Sequence, residues 1–276
     1  MLLKIEDLYF SYPGGCEVLK AIDFFAEGGE VVSIIGPNGS GKTTLLMTAA
    51  GLLEPTMGAV FLDGQNLKNL LPNVRKRIGL VFQDPDDQLF NPTVYEELAF
   101  ALRQLYTSKD QVNNRITEVA DQFSLKPHLE KSPFKLSIGE KRLVTIASIL
   151  AYDPDIILFD EPTANLSSSP VEVIGDLILK MKYLGKVVIV ASHDVEFVAE
   201  VSDRIYILNS GNLKGGSDAR SILMDEALLS LADMKPPIVM QTLRAMGLQP
   251  QEYPFTIKNL IKYARVRRKE SSSAQP

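Results

Sequence analysis

The strongest constraint on this chain is local: an apolar strand, a glycine-rich loop and a helix follow one another without a break. Val31 to Ile35 reads as a strand buried on both faces of a sheet. Gly36-Pro37-Asn38-Gly39-Ser40-Gly41-Lys42-Thr43-Thr44 follows it and satisfies the phosphate-loop pattern G-x-x-x-x-G-K-[ST], with a helix expected from about Gly41 to Gly51. Glycine lets such a loop wrap closely, so that its N–H groups point at phosphate oxygens while the helix dipole adds positive potential. The candidate phosphate-binding set is Gly36, Asn38, Gly39, Ser40, Gly41, Lys42, Thr43 and Thr44. In this pattern Lys42 bridges the β- and γ-phosphates and Thr43 holds Mg2+.

A phosphate loop needs an acidic partner for the metal at the end of a neighbouring buried strand, and Ile156-Ile157-Leu158-Phe159-Asp160-Glu161 supplies it. Asp160 is expected to orient the metal shell, leaving Glu161 to accept a proton from an attacking water. Two carboxylates before Pro162 also suit the capping of a turn, and it is Lys42 elsewhere in the chain that favours chemistry.

The rest of the pattern is α/β. Lys4 to Phe10 and Val18 to Phe25, separated by Pro13, Gly14 and Gly15, read as an antiparallel pair. Apolar runs at Ala59 to Leu62, Ile78 to Phe82, Ile156 to Phe159, Lys186 to Ala191 and Arg204 to Leu208 alternate with helical stretches, which implies a mainly parallel sheet. Between Gln83 and Tyr152 strand signals vanish. Thr93 with Glu96, Ser108 with Gln111, and Ser137 with Glu140 each match a capping box there. The β pattern is expected to end after Gly211, with helix from Ser217. Pro236 and Pro237 open a helix that Gly247 closes, and Thr256 caps a last one bearing Ile257, Leu260, Ile261 and Ala264 on one face. The apolar stripe Val239, Leu243 and Met246 and this second stripe either cover the core or meet another subunit.

Composition narrows the partners. With 29 basic against 34 acidic residues the chain has no overall positive field to hold nucleic acid, which is not expected as a primary partner, although local basic patches are compatible with this balance. The longest apolar runs fall short of the roughly 18 residues a membrane span needs. Cys16 is the sole cysteine, and Glu6 and Asp7 stand where a secretory signal would be apolar, so a reducing cytoplasm fits best.

In these motifs, across Leu3 to Lys214, the chain resembles the nucleotide-binding subunits of ABC transporters. Tyr12 lies where that family places an aromatic ring against adenine, although Tyr9 and Phe10 compete for the role. Gln83 is like the glutamine that contacts the metal and the lytic water. Leu136-Ser137-Ile138-Gly139-Glu140 resembles the signature LSGGQ, and His193 matches the switch histidine at the γ-phosphate. The resemblance implies a P-loop NTPase fold with a parallel core sheet, an antiparallel β subdomain, a helical insertion and a short C-terminal helical extension. It divides the chain into an ATPase domain over residues 1–214, with the insertion at about 84–152, and an extension over 215–276 with a disordered tail. ATP and Mg2+ are the implied cofactors. Ser137, Gly139 and Glu140 would meet the γ-phosphate of ATP bound to an opposing subunit, identical or a close paralogue, in a head-to-tail dimer.

Three departures stand out: Ile138 replaces the first signature glycine, Glu140 its glutamine, and Ser167 the usual aspartate after Ala164-Asn165-Leu166. Ile138 is expected to restrict the backbone, since glycine alone readily takes positive φ. More narrowly, Val81 to Phe90 and Lys235-Pro236-Pro237 resemble energy-coupling factor (ECF) transporter ATPases. The signature reading Leu136 to Arg142 is most similar to their cobalt and nickel uptake branch. That implies a membrane T component and a substrate-binding membrane component as partners, with the chain peripheral at the cytoplasmic face of the membrane. Asp84, Asp86 and Asp87 read equally well as acceptors for arginines of the T component and as a solvated acidic loop. Vitamin-type importers, a soluble ABC clamp and a weakly hydrolysing structural subunit are the competing functions.

Overall fold

The computed structural model describes residues 1–106, 108–248 and 255–261. Its first sheet is antiparallel. β1 (Leu2–Ser11) pairs with β2 (Glu17–Glu27) in the expected hairpin. The buried residues of β1 switch from Leu3 and Ile5 to Leu8 and Phe10, a change of parity that comes from a bulge at Asp7, whose φ is 43°. The extra residue keeps both halves of the strand facing the same core. β2 answers with its own irregular residue, Ala21 at φ 47°, ahead of buried Ile22 and Phe24.

β3 (Val31–Ile35) enters a second, six-stranded sheet and leads through the glycine-rich loop into α1 (Lys42–Ala49). β4 (Met57–Leu62) then returns to the first sheet, pairing antiparallel with β1 through Leu3 and Leu62, instead of joining the parallel strands as its apolar run led us to expect. Only one face of β4 is covered, so its burial alternates where a strand of the parallel sheet is buried throughout. β5 (Gln65–Asn66) and α2 (Leu67–Leu70) close this layer.

β6 (Ile78–Val81) is the far edge of the six-stranded sheet. Helices follow: α3 (Val94–Leu105), α4 (Lys109–Gln122) and α5 (Ile138–Ala151). Of the three expected capping boxes only that of Ser137 and Glu140 forms completely. Thr93 accepts from the Glu96 amide, but the Glu96 carboxylate goes to Arg103 instead, and Ser108 occupies the cap position without a side-chain bond. β7 (Ile156–Asp160), α6 (Ser168–Tyr183), β8 (Val187–Ser192), α7 (Val195–Val201) and β9 (Arg204–Asn209) complete the alternation.

The sheet order is β10-β9-β3-β8-β7-β6, parallel except for β10 (Asn212–Asp218), which forms a hairpin with β9. β structure thus runs to Asp218, beyond the expected end at Gly211. This edge strand is mostly exposed and poor in apolar residues, so its only strong organiser is the main-chain ladder and the turn at Ser210 and Gly211, with φ 49° and 80°. Alternate residues of the central strands serve different cores. Ile156, Leu158, Val187 and Ile189 pack toward the antiparallel sheet and α1, while Ile157, Phe159, Val188 and Val190 pack toward α5 and α6.

α8 (Ala219–Met224), α9 (Glu226–Leu231) and α10 (Ile238–Ala245) follow β10. Pro237 caps α10 and Gly247 lies at φ 69°, as expected of a helix opened by proline and closed by glycine. Val239 and Leu243 are buried, whereas Met246 is 67% exposed, so the stripe divides. Ile238 N–H donates to Glu196 Oε1 at 2.6 Å, tying α10 to α7. Residues 257–261 are helical, with the Thr256 hydroxyl accepting from the Asn259 amide, while Ile257 and Ile261 remain exposed. Ala264 and the C-terminal tail lie outside the described residues. No helix among them is long and apolar enough to cross a membrane.

Candidate functional site

β3, β8, β7 and β6 are consecutive neighbours in a parallel sheet, so their C-terminal ends form one edge. The glycine-rich loop, His193, Glu161 and Gln83 follow these four strands in turn. An open α/β sheet binds ligands at this edge, because loops and helix N-termini converge there.

The loop is built by steric necessity. A Cβ on Gly36 would lie 2.1 Å from the Leu208 carbonyl oxygen, and Gly39 and Gly41 have φ of 78° and 108°. Lys42 is folded over the loop, its Nζ donating to the Gly36 carbonyl at 2.8 Å and the Pro37 carbonyl at 3.2 Å, and standing 3.5 Å from Glu161 Oε1. Thr43 Oγ1 donates to Asp160 Oδ2 at 2.6 Å, so the loop and the acidic strand end are already joined. Burial pushes the Asp160 carboxyl above its ordinary value; the Thr43 bond opposes this, Glu161 adds to it, and Lys42 and Arg142 work against it.

Glu161 sits at φ 45°, an unusual conformation for a residue with a side chain. Its amide nevertheless donates to the Ala191 carbonyl at 2.9 Å, extending the β7 and β8 ladder by one bond. The turn swings its carboxylate toward His193, whose backbone N–H and Nδ1 both donate to Glu161 Oε2, at 3.2 and 2.7 Å. With Nδ1 committed to the carboxylate, Nε2 is the ring nitrogen left to act outward, on a side chain that is 54% exposed.

Two buried carboxylate oxygens, Asp160 Oδ1 and Glu161 Oε1, have no hydrogen-bond partner, and neither does Ser40 Oγ. Buried polar atoms are seldom left so. A hard cation and a phosphate ligand match this donor set. Thr43, Gln83 and Asp160, the three residues expected at the metal, line one cleft of about 400 Å3 together with Met47, Ile138 and Arg142. Tyr12 stands at the side of α1, its hydroxyl 3.3 Å from Thr44 Oγ1 and its ring edge-on to Phe10. Phe10 is buried and Tyr9 half-buried, while Tyr12 is 42% exposed.

Ser137, Gly139 and Glu140 do not line that cleft. They form the exposed start of α5, where the Ser137 amide and hydroxyl both donate to Glu140 Oε2 at 2.7 Å and the Ser137 oxygen accepts from the Glu140 amide. These bonds hold the Glu140 carboxyl below the usual carboxylate range, the Ser137 hydroxyl contributing most. Ile138 is the first residue of α5 and has helical φ, so the expected conflict with positive φ does not arise. What isoleucine adds is an apolar side chain, 42% exposed, at the helix start. Ser167 occupies the cap position of α6 without a side-chain bond. Asp86 is paired with Lys141 at 2.7 Å, and Asp84 caps the turn Pro85–Asp87. Arg142, which the sequence placed only at the end of the motif Leu136 to Arg142 and gave no site role, is only 1% exposed. A single sequence does not distinguish a buried arginine from a solvated one.

The model of the family described as ABC transporter matches residues 19–164. The energy-coupling factor transporter ATP-binding protein EcfA of Methanocaldococcus jannaschii is 36% identical over 272 residues, covering 95% of this chain and 98% of that protein. A protein of the same description from Methanothermobacter thermautotrophicus is 38% identical over 239 residues, covering 86% of this chain and 77% of its own length. Among solved structures, CbiO1 of Clostridium perfringens, described as part of the ABC transporter complex CbiONQ, superposes with a TM-score of 0.75 at 29% identity. The match covers 89% of this chain and 98% of that one.

Proposed function

The chain belongs to the ABC transporter family, among its energy-coupling factor ATP-binding proteins, and from that premise we propose that it hydrolyses ATP to drive import of cobalt or nickel ions. The observation that carries the hydrolytic part is the Glu161 carboxylate, buried between Lys42 and His193 with the oxygen that faces Lys42 accepting no hydrogen bond. Such a group accepts the proton of a water as the water oxygen bonds to the γ-phosphorus and the bond to the bridging oxygen breaks. His193 fixes the direction of the carboxylate through Nδ1. Lys42 leaves its loop carbonyls for phosphate oxygens, and the amides of Gly39 and Gly41 hold the rest of the phosphate chain. Thr43, Gln83 and Asp160 would hold Mg2+, which when bound neutralises charge on the β- and γ-phosphates. Tyr12 supplies a ring for the adenine.

Ser137, Gly139 and Glu140 face outward on this reading because their phosphate belongs to a second ATPase subunit, identical or paralogous. The transport partners are a membrane T component and a substrate-binding membrane component, with this chain bound at the cytoplasmic face. The metal cargo, as against a vitamin, rests on the resemblance of Leu136 to Arg142 to the cobalt and nickel branch.

The test is reconstitution of the full chain with its T and substrate-binding components in vesicles. Wild-type protein is expected to accumulate cobalt or nickel with ATP. Glu161→Gln is expected to keep MgATP affinity while turnover falls by roughly 10²–10⁴-fold, the usual contribution of a general base. Wild-type turnover in that variant removes Glu161 from the mechanism, and uptake of a vitamin in place of metal replaces the cargo.

A further inference from the structure

Among the described residues Arg142 is the largest of the fully buried side chains, and it carries a charge. It lies on α5, about one and a half turns beyond Ser137. Its guanidinium reaches out of the helix to the strand end that precedes the acidic turn: Nη1 donates to the Phe82 carbonyl at 2.6 Å and Nη2 to the Gln83 carbonyl. The neighbouring Lys141 donates to both carboxylate oxygens of Asp86, at 2.7 and 3.0 Å. Two consecutive residues of one helix thus hold the segment 82–86.

An apolar side chain would fill this position without the cost of burying a cation. The charge has two specific correspondents. Burial depresses the Arg142 pKa, and the carboxylates of Asp84 and Asp160 oppose that depression. Arg142 is also among the residues lining the cleft that contains Thr43, Gln83 and Asp160. A planar fork with parallel donors can hold two successive carbonyls and so fix the orientation of the peptide between them; a lysine ammonium cannot do this from the same place.

We propose that Arg142 is a positioning residue: by clamping the Phe82 and Gln83 carbonyls it directs the Gln83 side chain into the metal and phosphate cleft and makes Gln83 move as one body with the start of α5. Ser137 and Gln83 then reach their two different nucleotides together, so closure at one site is mechanically tied to the other. The inference rests on the ATPase reading above, and it concerns a residue that does not itself touch the nucleotide.

The experiment has two readouts on the full chain, with Arg142→Met and Arg142→Lys. Amide hydrogen exchange, followed by mass spectrometry, is expected to rise over residues 82–87 in both variants and to stay unchanged over residues 36–44, because the clamp is local. Steady-state ATPase is expected to fall at least about tenfold in kcat with KM for ATP within about twofold. Adding Gln83→Ala to either variant is expected to cost nothing beyond Gln83→Ala alone, since a residue acting through Gln83 has nothing left to position. Losses that multiply in the double variant, unchanged exchange over residues 82–87, or wild-type kcat in Arg142→Lys overturn the proposal. If Arg142→Met does not fold, Arg142→Lys carries the same comparisons. Raised exchange in a protein whose wild type hydrolyses no ATP leaves the clamp standing and removes the ATPase reading instead.

Discussion

The edge of the core sheet and the start of α5 are both phosphate-binding candidates, yet they are built in opposite ways. At the sheet edge Lys42, Asp160 and Glu161 are buried, held in place by β3, β7 and β8, and leave oxygens without partners. At the start of α5, Ser137 and Glu140 are accessible and satisfy each other. The first region is an incomplete charge arrangement enclosed in low dielectric, where a ligand's charge counts for more than it does in water. The second is a helix terminus already stable by itself, offering its amides to something that arrives from outside. Substitutions should therefore act strongly and electrostatically at the sheet edge and weakly, through helix stability, at α5.

The largest effect is expected from Lys42→Ala. Removing the cation takes away the phosphate counter-charge and also the neighbour of the buried Glu161 carboxylate. ATP affinity should fall by roughly 10–100-fold, or about 1.4–2.7 kcal/mol. Titration with a fluorescent ATP analogue measures it, and an unchanged dissociation constant would erase the contrast between the two regions.

Asp160→Asn sharpens the contrast through pH. Because burial raises the Asp160 pKa, the folded chain keeps a proton that the unfolded chain has already released between the ordinary carboxylate value of 3.8 and the raised one. Stability therefore falls as pH rises through that window, and the ionised carboxylate remains a cost at neutral pH. Asparagine removes the cost, so Tm without nucleotide should rise near neutral pH by a few degrees, at roughly 2–4 °C per kcal/mol for a chain of this size. The gain should disappear as pH falls below the window, and ATP binding should lose its dependence on Mg2+. A lower Tm near neutral pH would mean that the Thr43 bond outweighs burial.

The smallest effect is expected from Ser137→Ala. Loss of the cap should cost about 1 kcal/mol in chemical denaturation and leave ATP affinity of the isolated chain unchanged. A change in that affinity would mean that the α5 terminus serves the nucleotide of its own subunit.

Much of the sheet edge was legible because its chemistry is contiguous in sequence. The run from Val31 to Thr44 and the run from Ile156 to Glu161 each carry a strand, a turn and functional side chains within at most fourteen residues. The capping box at Ser137 is equally local. The effect of Ile138 was not legible, because it depends on the backbone the residue adopts; as the first helical residue after the Ser137 cap it is not among the positive-φ residues, and isoleucine is unstrained there. β4 was misplaced for a related reason: an apolar run specifies a strand, but its partner strand depends on which faces are covered; β10, exposed and poor in apolar residues, gave no strand signal at all.

The sequence by itself determined the α/β class, the phosphate loop, the acidic strand end and the order in which the candidate residues appear, since steric rules, periodicity and capping act over a few neighbouring residues. Tertiary structure alone decided that four strand ends separated by up to 157 residues share one edge, that Glu161 is aimed at His193, and that Arg142 is buried against the carbonyls of Phe82 and Gln83. These outcomes depend on strand order and on which charges are withdrawn from water together, and both are properties of the packed chain.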